Sequence, residues 1–312
     1  MIQIPILSTA IQSWQFAGKA FAAEKRKSRL KQQRKSFFLA LINPRIAAKW
    51  FNIIQSPDFK LVMAHRPAIY LKPFRVYIST KWSKDKKIKV IQDTYRFITS
   101  KGDGFTKVIT AEKGLEIARF KMSDIMEGYL TLGYDGRYRK EGELVLTFHC
   151  DQLEGKMVAI AFSFEEVVKD HWVCWIGCVQ GHGVNEANSS KIAQKQLQGL
   201  RPKSLVVLMV QELSRHLGLS SIYGAGDLIQ AYRKKHAIHL PWRHTINFNY
   251  NEFWLESGGV AKSEGWYELP LTPVRKDIQD IKSEKRAYYR RRYAILDDLS
   301  LKIAESVNKL EV

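Results

Sequence analysis

The chain has 312 residues and a mass of 36.1 kDa, with 45% apolar and 26% charged residues. That is ordinary globular composition and excludes a disordered, collagen-like or coiled-coil protein. Its 50 Lys/Arg outnumber 31 Asp/Glu to give a formal +19, and the excess is local: residues 1–110 hold 22 basic and 5 acidic residues, 111–274 hold 18 and 19, and 275–312 hold 10 and 7. Charge carried only for solubility would be spread more evenly. The first third therefore either faces an anionic partner (acidic lipid, lipopolysaccharide phosphate or nucleic acid) or is a solvated basic surface.

The longest apolar run near the N-terminus, Phe37 to Ile42, is far short of the ~20 residues of a spanning helix. The uncharged first 18 residues lack the basic and long apolar regions of a secretory signal. A cytoplasmic protein is expected, lying on a membrane at most. Cys150, Cys174 and Cys178 are odd in number and sit in apolar surroundings, so core thiols are expected and not a disulfide framework or a nucleophile.

Residues 13–101 read as helical. Leu30, Phe37, Phe38 and Leu41 share one helix face, opposite Lys25, Arg26, Lys27, Arg29, Arg34 and Lys35. Asn43-Pro44 breaks that helix, and Pro44 suits the first position of the next, which holds Ile46, Trp50, Ile53 and Ile54. Ser56-Pro57-Asp58 restarts the pattern, Pro67 and Pro73 impose a loop or short helices, and a basic helix from about Ser83 to Ile98 ends at Gly102 and Gly104.

Strand texture follows: Leu144, Leu146 and Phe148 alternate with other residues, Met157 to Phe162 forms a second strand, and Trp172 to Val179 a third, too apolar for an edge. After Gln180-Gly181-His182-Gly183 and a polar segment, Gly199-Leu200-Arg201-Pro202-Lys203 opens an apolar helix through Leu217, with Gly218 placed to cap it. A strand Ser221–Ala225, a helix at Tyr250–Leu255 stopped by Gly258-Gly259, a strand from Trp266 and an amphipathic helix over about 277–308 complete the chain. The expected fold is mixed α/β, with a basic helical region over 1–105 and a mixed-sheet domain over 106–312. The element order resembles the acyltransferase fold of the N-acetyltransferase superfamily, with Phe253 to Gly259 imitating its Phe-Tyr-x-x-x-Gly pattern.

A closer resemblance rests on a set of motifs: Ile176 to Gly181, Gly199 to Lys203, Phe253-Trp254 with Gly258-Gly259, Gly265 to Leu271, and Lys285 to Tyr293. Together these resemble the VirK/YbjX family of proteobacterial proteins over residues 140 to 300; the N-terminal third matches only in helical, basic character. Asn251 departs from the family pattern, where an acidic residue is expected. The resemblance implies a cytoplasmic protein linked to virulence, the cell envelope and resistance to cationic antimicrobial peptides; a place on the cytoplasmic face of the inner membrane is expected from the basic N-terminal region. It supplies no defined reaction.

The strongest physical clue to chemistry is Gly199 to Ser204. Pro202 at a helix start puts Arg201 and Lys203 at the positive end of the dipole, where cations are unfavourable unless an anion binds. Gly199, Arg201, Lys203 and Ser204 are therefore the candidate cradle for the phosphates of an acyl-CoA, an acyl carrier protein or a phosphorylated lipid. The alternative is a salt bridge or a cation lying over an aromatic ring. Gly181 and Gly183 would let a ligand approach backbone, and His182 between them is the candidate general base, with a turn bearing an exposed His as the alternative. Glu252 and Tyr267 complete the candidate catalytic set, with core or interface packing as the competing role for the tyrosine and Tyr250 or Tyr232 as substitutes. His236, His239 and His244 lack metal-ligand spacing once Pro241 ends any helix there, so no metal is expected. The run Arg290-Arg291-Arg292 among Tyr288, Tyr289 and Tyr293 suits internal packing first, lipid phosphate second and nucleic acid third. The leading expectation is an acyltransferase acting on an envelope or protein acceptor, with a non-catalytic lipid- or protein-binding factor and a nucleic-acid-binding regulator as rivals. Anionic lipid or a lipopolysaccharide precursor is the expected partner.

Overall fold

The computed structural model describes residues 6–153, 155–182, 186–231 and 248–311. Gly183, Tyr232, His236, His239 and His244 lie outside the described residues.

The first third is helical, as the periodicity over 13–101 predicts: α1 (Ile6–Ala20), α2 (Arg26–Ile42), α3 (Pro44–Ile54), α4 (Lys60–His65) and α5 (Lys84–Ser100), with 3₁₀ turns at Pro57–Phe59 and Pro67–Phe74; α1 starts earlier than expected, and a further helix, α6 (Asp103–Thr110), runs through Gly104. Pro44 takes the first turn of α3, where its missing N–H costs nothing. Ser83 caps α5 by accepting from the Lys86 N–H at 3.1 Å.

An eight-stranded sheet follows: β1 (Leu115–Ser123), β2 (Met126–Gly133), β3 (Leu144–Cys150), β4 (Gly155–Val168), β5 (His171–Gly181), β6 (Ser221–Ala225), β7 (Val260–Ala261) and β8 (Trp266–Leu269), in the order β1-β2-β3-β4-β5-β6-β8-β7. β5 and β6 are the one parallel pair among these strands. Such a pair needs a crossover, here α7 (Glu186–Gln196) and α8 (Pro202–His216). α9 (Tyr250–Glu256) precedes β7, and α10 (Ser283–Leu310) ends the chain. Gly218 closes α8 at φ 75°, with Leu219 N–H reaching back to Ser214 O at 2.9 Å, the six-to-one bond of a Schellman cap.

Three strands, β1, β2 and β7, are absent from the sequence reading. In β1 the alternation of Phe120 and Met122 with Arg119 and Lys121 is present, but a register shift between Glu116 and Ala118 breaks the period. α10 begins at Ser283, later than the expected 277.

One hydrophobic core joins helices and sheet. α10 packs on β1 and α8, while α5 covers the part of β4 that outruns β3. There α5 replaces a strand partner with side chains: Thr94 Oγ1 bonds both the N–H and the C=O of Phe164 at 2.9 and 3.0 Å, and Asp93 accepts from Glu166 N–H at 3.1 Å. A helix laid along a strand edge removes a surface prone to unwanted pairing. Deeper, Lys72 meets the fully buried Glu143 at 2.5 Å, and Tyr95 donates to the other Glu143 oxygen at 2.6 Å. Arg66 donates to Tyr95 and to the last carbonyls of α6, Val108 and Ile109, both at 2.9 Å.

Candidate functional site

The α8 N-terminus opens on a groove of about 540 Å³ between α8, α9 and α10. Leu200, Val207, Leu208, Leu255, Val274 and Leu296 give it an apolar floor; Arg201, Ser204, Arg275, Lys276 and Arg292 stand on its polar side. Arg201 is the N-cap residue and makes no side-chain cap, so the first amides of α8 are not satisfied by its own cap.

The cations have local partners of unequal strength. Arg201 pairs with Glu256 at 2.5 Å with both side chains about half exposed, a contact worth ~0–1 kcal/mol. Lys203 lies over the Phe248 ring at 4.5 Å. Arg275 pairs with Asp297 at 2.6 Å. Arg292 lies over Tyr289 at 4.4 Å and donates to Gln198 O at 2.8 Å.

Gly199 has a different local use. It sits at φ 74°, and a Cβ there would come within 2.6 Å of the Tyr288 hydroxyl and 2.8 Å of an Arg292 nitrogen. It ends α7 and lets α10 seat against the loop before α8. Arg292 from the arginine run thus meets Gly199, Arg201 and Ser204, far away in sequence, in one groove, while Lys203 turns to Phe248 and does not line it. No local sequence pattern links Arg275, Lys276 and Arg292 to residues about 75–90 positions away, so only the fold shows that they share a site.

β5 and β6 pair from Val173↔Ser221 to Ile176↔Gly224, and no further. β5 runs on to Gly181, which still pairs with Val158 of β4, past the end of β6 at Ala225, and so leaves a gap beside its last residues. The gap is filled from inside the chain. Gln230 donates to Gly177 O at 2.8 Å, and the Tyr250 hydroxyl bonds both Val179 N–H and Val179 O, at 3.2 and 3.0 Å. Beside it lies Glu141, fully buried, with neither carboxylate oxygen hydrogen-bonded. Its backbone carbonyl crosses so close to Gly177 that any Cβ there would collide. Burial, only partly offset by Lys140, pushes the Glu141 carboxyl up to about 7. Its signal in the sequence is faint: an acid just before an apolar strand.

His182 follows β5 with its Nε2 hydrogen-bonded to the buried Tyr138 hydroxyl. Burial, then Lys156 and Arg137, pull its pKa down to about 4, so it is neutral at pH 7. In the neighbouring 700 Å³ concavity His149 stacks on Tyr129 at 4.6 Å and is also held at about 4, by burial and then Lys156. Asp135 pairs there with Lys156 and Arg137; burial opposes its charge, but their hydrogen bonds win and hold its carboxyl far below the usual range.

Glu252 lies exposed in the first turn of α9, where its N–H bonds the Asn249 cap at 3.0 Å. Tyr267 lies on β8 opposite Gly224. Among the described residues no hydrogen bond or ring contact joins any two of His182, Glu252 and Tyr267. Asn251 has a local use, accepting from Asp227 N–H at 2.9 Å. Cys150, Cys174 and Cys178 are buried free thiols, and burial raises the pKa of each. Among the described residues no group of His, Cys, Asp and Glu has metal-binding geometry, and no helix is long and apolar enough to cross a membrane.

These features define a mixed α/β protein with an amphipathic, cation-rimmed groove at a crossover helix. Residues 25–305 match the family described as "Protein of unknown function (DUF535)", and the chain belongs to that family, the VirK/YbjX family of the motif resemblance. It is 28% identical over 280 residues to "Uncharacterized protein YbjX" of Escherichia coli (strain K12), covering 87% of this chain and 82% of that protein. Two proteins of Haemophilus influenzae (strain ATCC 51907 / DSM 11121 / KW20 / Rd), each named "Uncharacterized protein", are 34% and 35% identical over 131 and 134 residues, covering 42% of this chain and 43% of each relative. No solved structure matches significantly.

Proposed function

We propose that the protein binds a phosphorylated acyl-chain compound, such as an acyl-CoA, an acyl carrier protein's prosthetic arm or a phospholipid precursor, in the groove at the α8 N-terminus. The observation that carries this is the pairing of an apolar floor with Arg201, Lys276 and Arg292 beside a helix start that lacks a side-chain cap. An acyl chain suits the floor, and a phosphate suits the helix amides and guanidinium groups. A role in the envelope and in resistance to cationic peptides, implied by the family resemblance, would follow from handling such a compound.

Acyl transfer is a second reading. It is favoured by the strand order, with one parallel pair bridged by a helix whose start faces a groove. Against it stand Tyr250 and Gln230 in the strand gap, and the lack of contact among His182, Glu252 and Tyr267.

The test is equilibrium titration of the full chain with dodecanoyl-CoA, with dodecanoate as control. An Arg201→Ala, Lys276→Ala variant should bind dodecanoyl-CoA at least tenfold more weakly, since a hydrogen bond to a charged group is worth ~1.5–3 kcal/mol. Its unfolding midpoint should barely move, because the Arg201 pair is exposed. Equal affinity for dodecanoate and dodecanoyl-CoA, or an unchanged variant, refutes the proposal. Thiol release from bound dodecanoyl-CoA on adding an amine or hydroxyl acceptor would support transfer.

A further inference from the structure

α1 and α2 form an antiparallel hairpin: Ser13 Oγ donates to Ser36 O at 3.0 Å, and Gln33 Nε2 donates to Trp14 O at 3.3 Å. That register brings Ile11 level with Phe38 and Leu7 level with Ile42 along the hairpin. All four are exposed, at 47%, 59%, 63% and 76%, and Ile6 next to them at 49%. Of fourteen exposed large apolar side chains among the described residues, five gather at this one end of one hairpin. A cluster of this kind marks an interaction surface, whereas scattered single residues would not.

The charge around it says what the partner is. Residues 6–49 hold ten Lys/Arg and one acid, Glu24. Of those ten, only Lys49 is ion-paired among the described residues, to Asp85. Lys31, Arg34 and Lys35 are exposed one to two turns along α2 from Phe38. A second copy of the chain would bring the same positive charge against itself. A nucleic acid would use the cations and leave the apolar tip in water. An anionic bilayer takes both, apolar side chains below the headgroups and cations among the phosphates.

We propose that this end of the α1–α2 hairpin docks the protein on an anionic lipid bilayer, Leu7, Ile11, Phe38 and Ile42 inserting and Lys31, Arg34 and Lys35 holding the headgroups. The face is distinct from the α8 groove and does not depend on the ligand assigned there. Neither signal is strong alone, so binding is reversible and needs both.

The test is flotation of the full chain with vesicles of phosphatidylcholine, with and without phosphatidylglycerol. The protein should float only with phosphatidylglycerol, and less as salt shortens the screening length. At about fivefold per cation, Lys31→Gln with Arg34→Gln and Lys35→Gln should weaken binding about a hundredfold. Leu7→Asp with Phe38→Asp should weaken it at least tenfold; these side chains are mostly exposed, so circular dichroism should stay unchanged. Equal flotation with both vesicles, or full retention by either variant, overturns the proposal. So does a dimer that Leu7→Asp with Phe38→Asp dissolves while no flotation occurs, which would make the face a self-association surface.

Discussion

Replacing Glu141 with Gln should make the protein more stable at alkaline pH and leave it unchanged in acid. The carboxyl is fully buried without a hydrogen-bond partner, and burial raises its pKa from 4.5 to about 7. Below pH 4.5 the group is protonated in both folded and unfolded chains and contributes no pH dependence. As pH rises from 4.5 to 7 the unfolded chain gives up this proton while the folded chain keeps it, so stability falls with pH. At ~1.4 kcal/mol per unit, the loss reaches about 3 kcal/mol by pH 8. Gln keeps the volume and polarity but does not titrate. Urea unfolding of both proteins at about pH 5 and about pH 8 would show the effect as a gain in midpoint for Glu141→Gln that grows with pH at constant slope. A difference independent of pH, or a variant less stable at pH 8, would mean that Glu141 is ionised in the fold, and the reasoning would fail.

Lys72→Met should cost ~3–5 kcal/mol, because it leaves the fully buried Glu143 charge without its cation; a loss of unfolding free energy of under about 1 kcal/mol by urea titration would show that the Tyr95 hydrogen bond alone suffices. His149 and His182, held at about 4 by burial first and Lys156 second, should show no imidazole titration by proton NMR between about pH 6 and 8. Because their folded pKa values lie below the unfolded 6.5, the stability they contribute is complete above 6.5 and is lost as pH falls toward 4. A midpoint near 6.5 for both would mean that the rings are solvated.

Local physics made much of this protein legible from its residues. Pro44 and Pro202 start helices because a missing N–H is harmless only there. Gly218 ends α8 because a positive φ is cheap without a Cβ, and the apolar run from Trp172 to Val179 belongs inside a sheet because an edge would leave it wet. Other features depend on which distant elements meet. The bulge in β1 hid a strand, since a single extra residue moves side chains to the other face. Gly199 reads as a phosphate loop when seen alone, yet its missing side chain makes room for Tyr288 and Arg292 from α10. That β5 outruns β6 follows from the lengths of their apolar runs, but that Tyr250 and Gln230 fill the space beside it does not. Glu141 looks like any acid in a Glu-Gly-Glu turn, and only its burial gives it a pKa near neutrality. The exposed hairpin end was equally hidden. Helical spacing groups Phe38 with Leu30, Phe37 and Leu41 on one side of α2, but packing covers only part of that side and leaves Phe38 59% exposed.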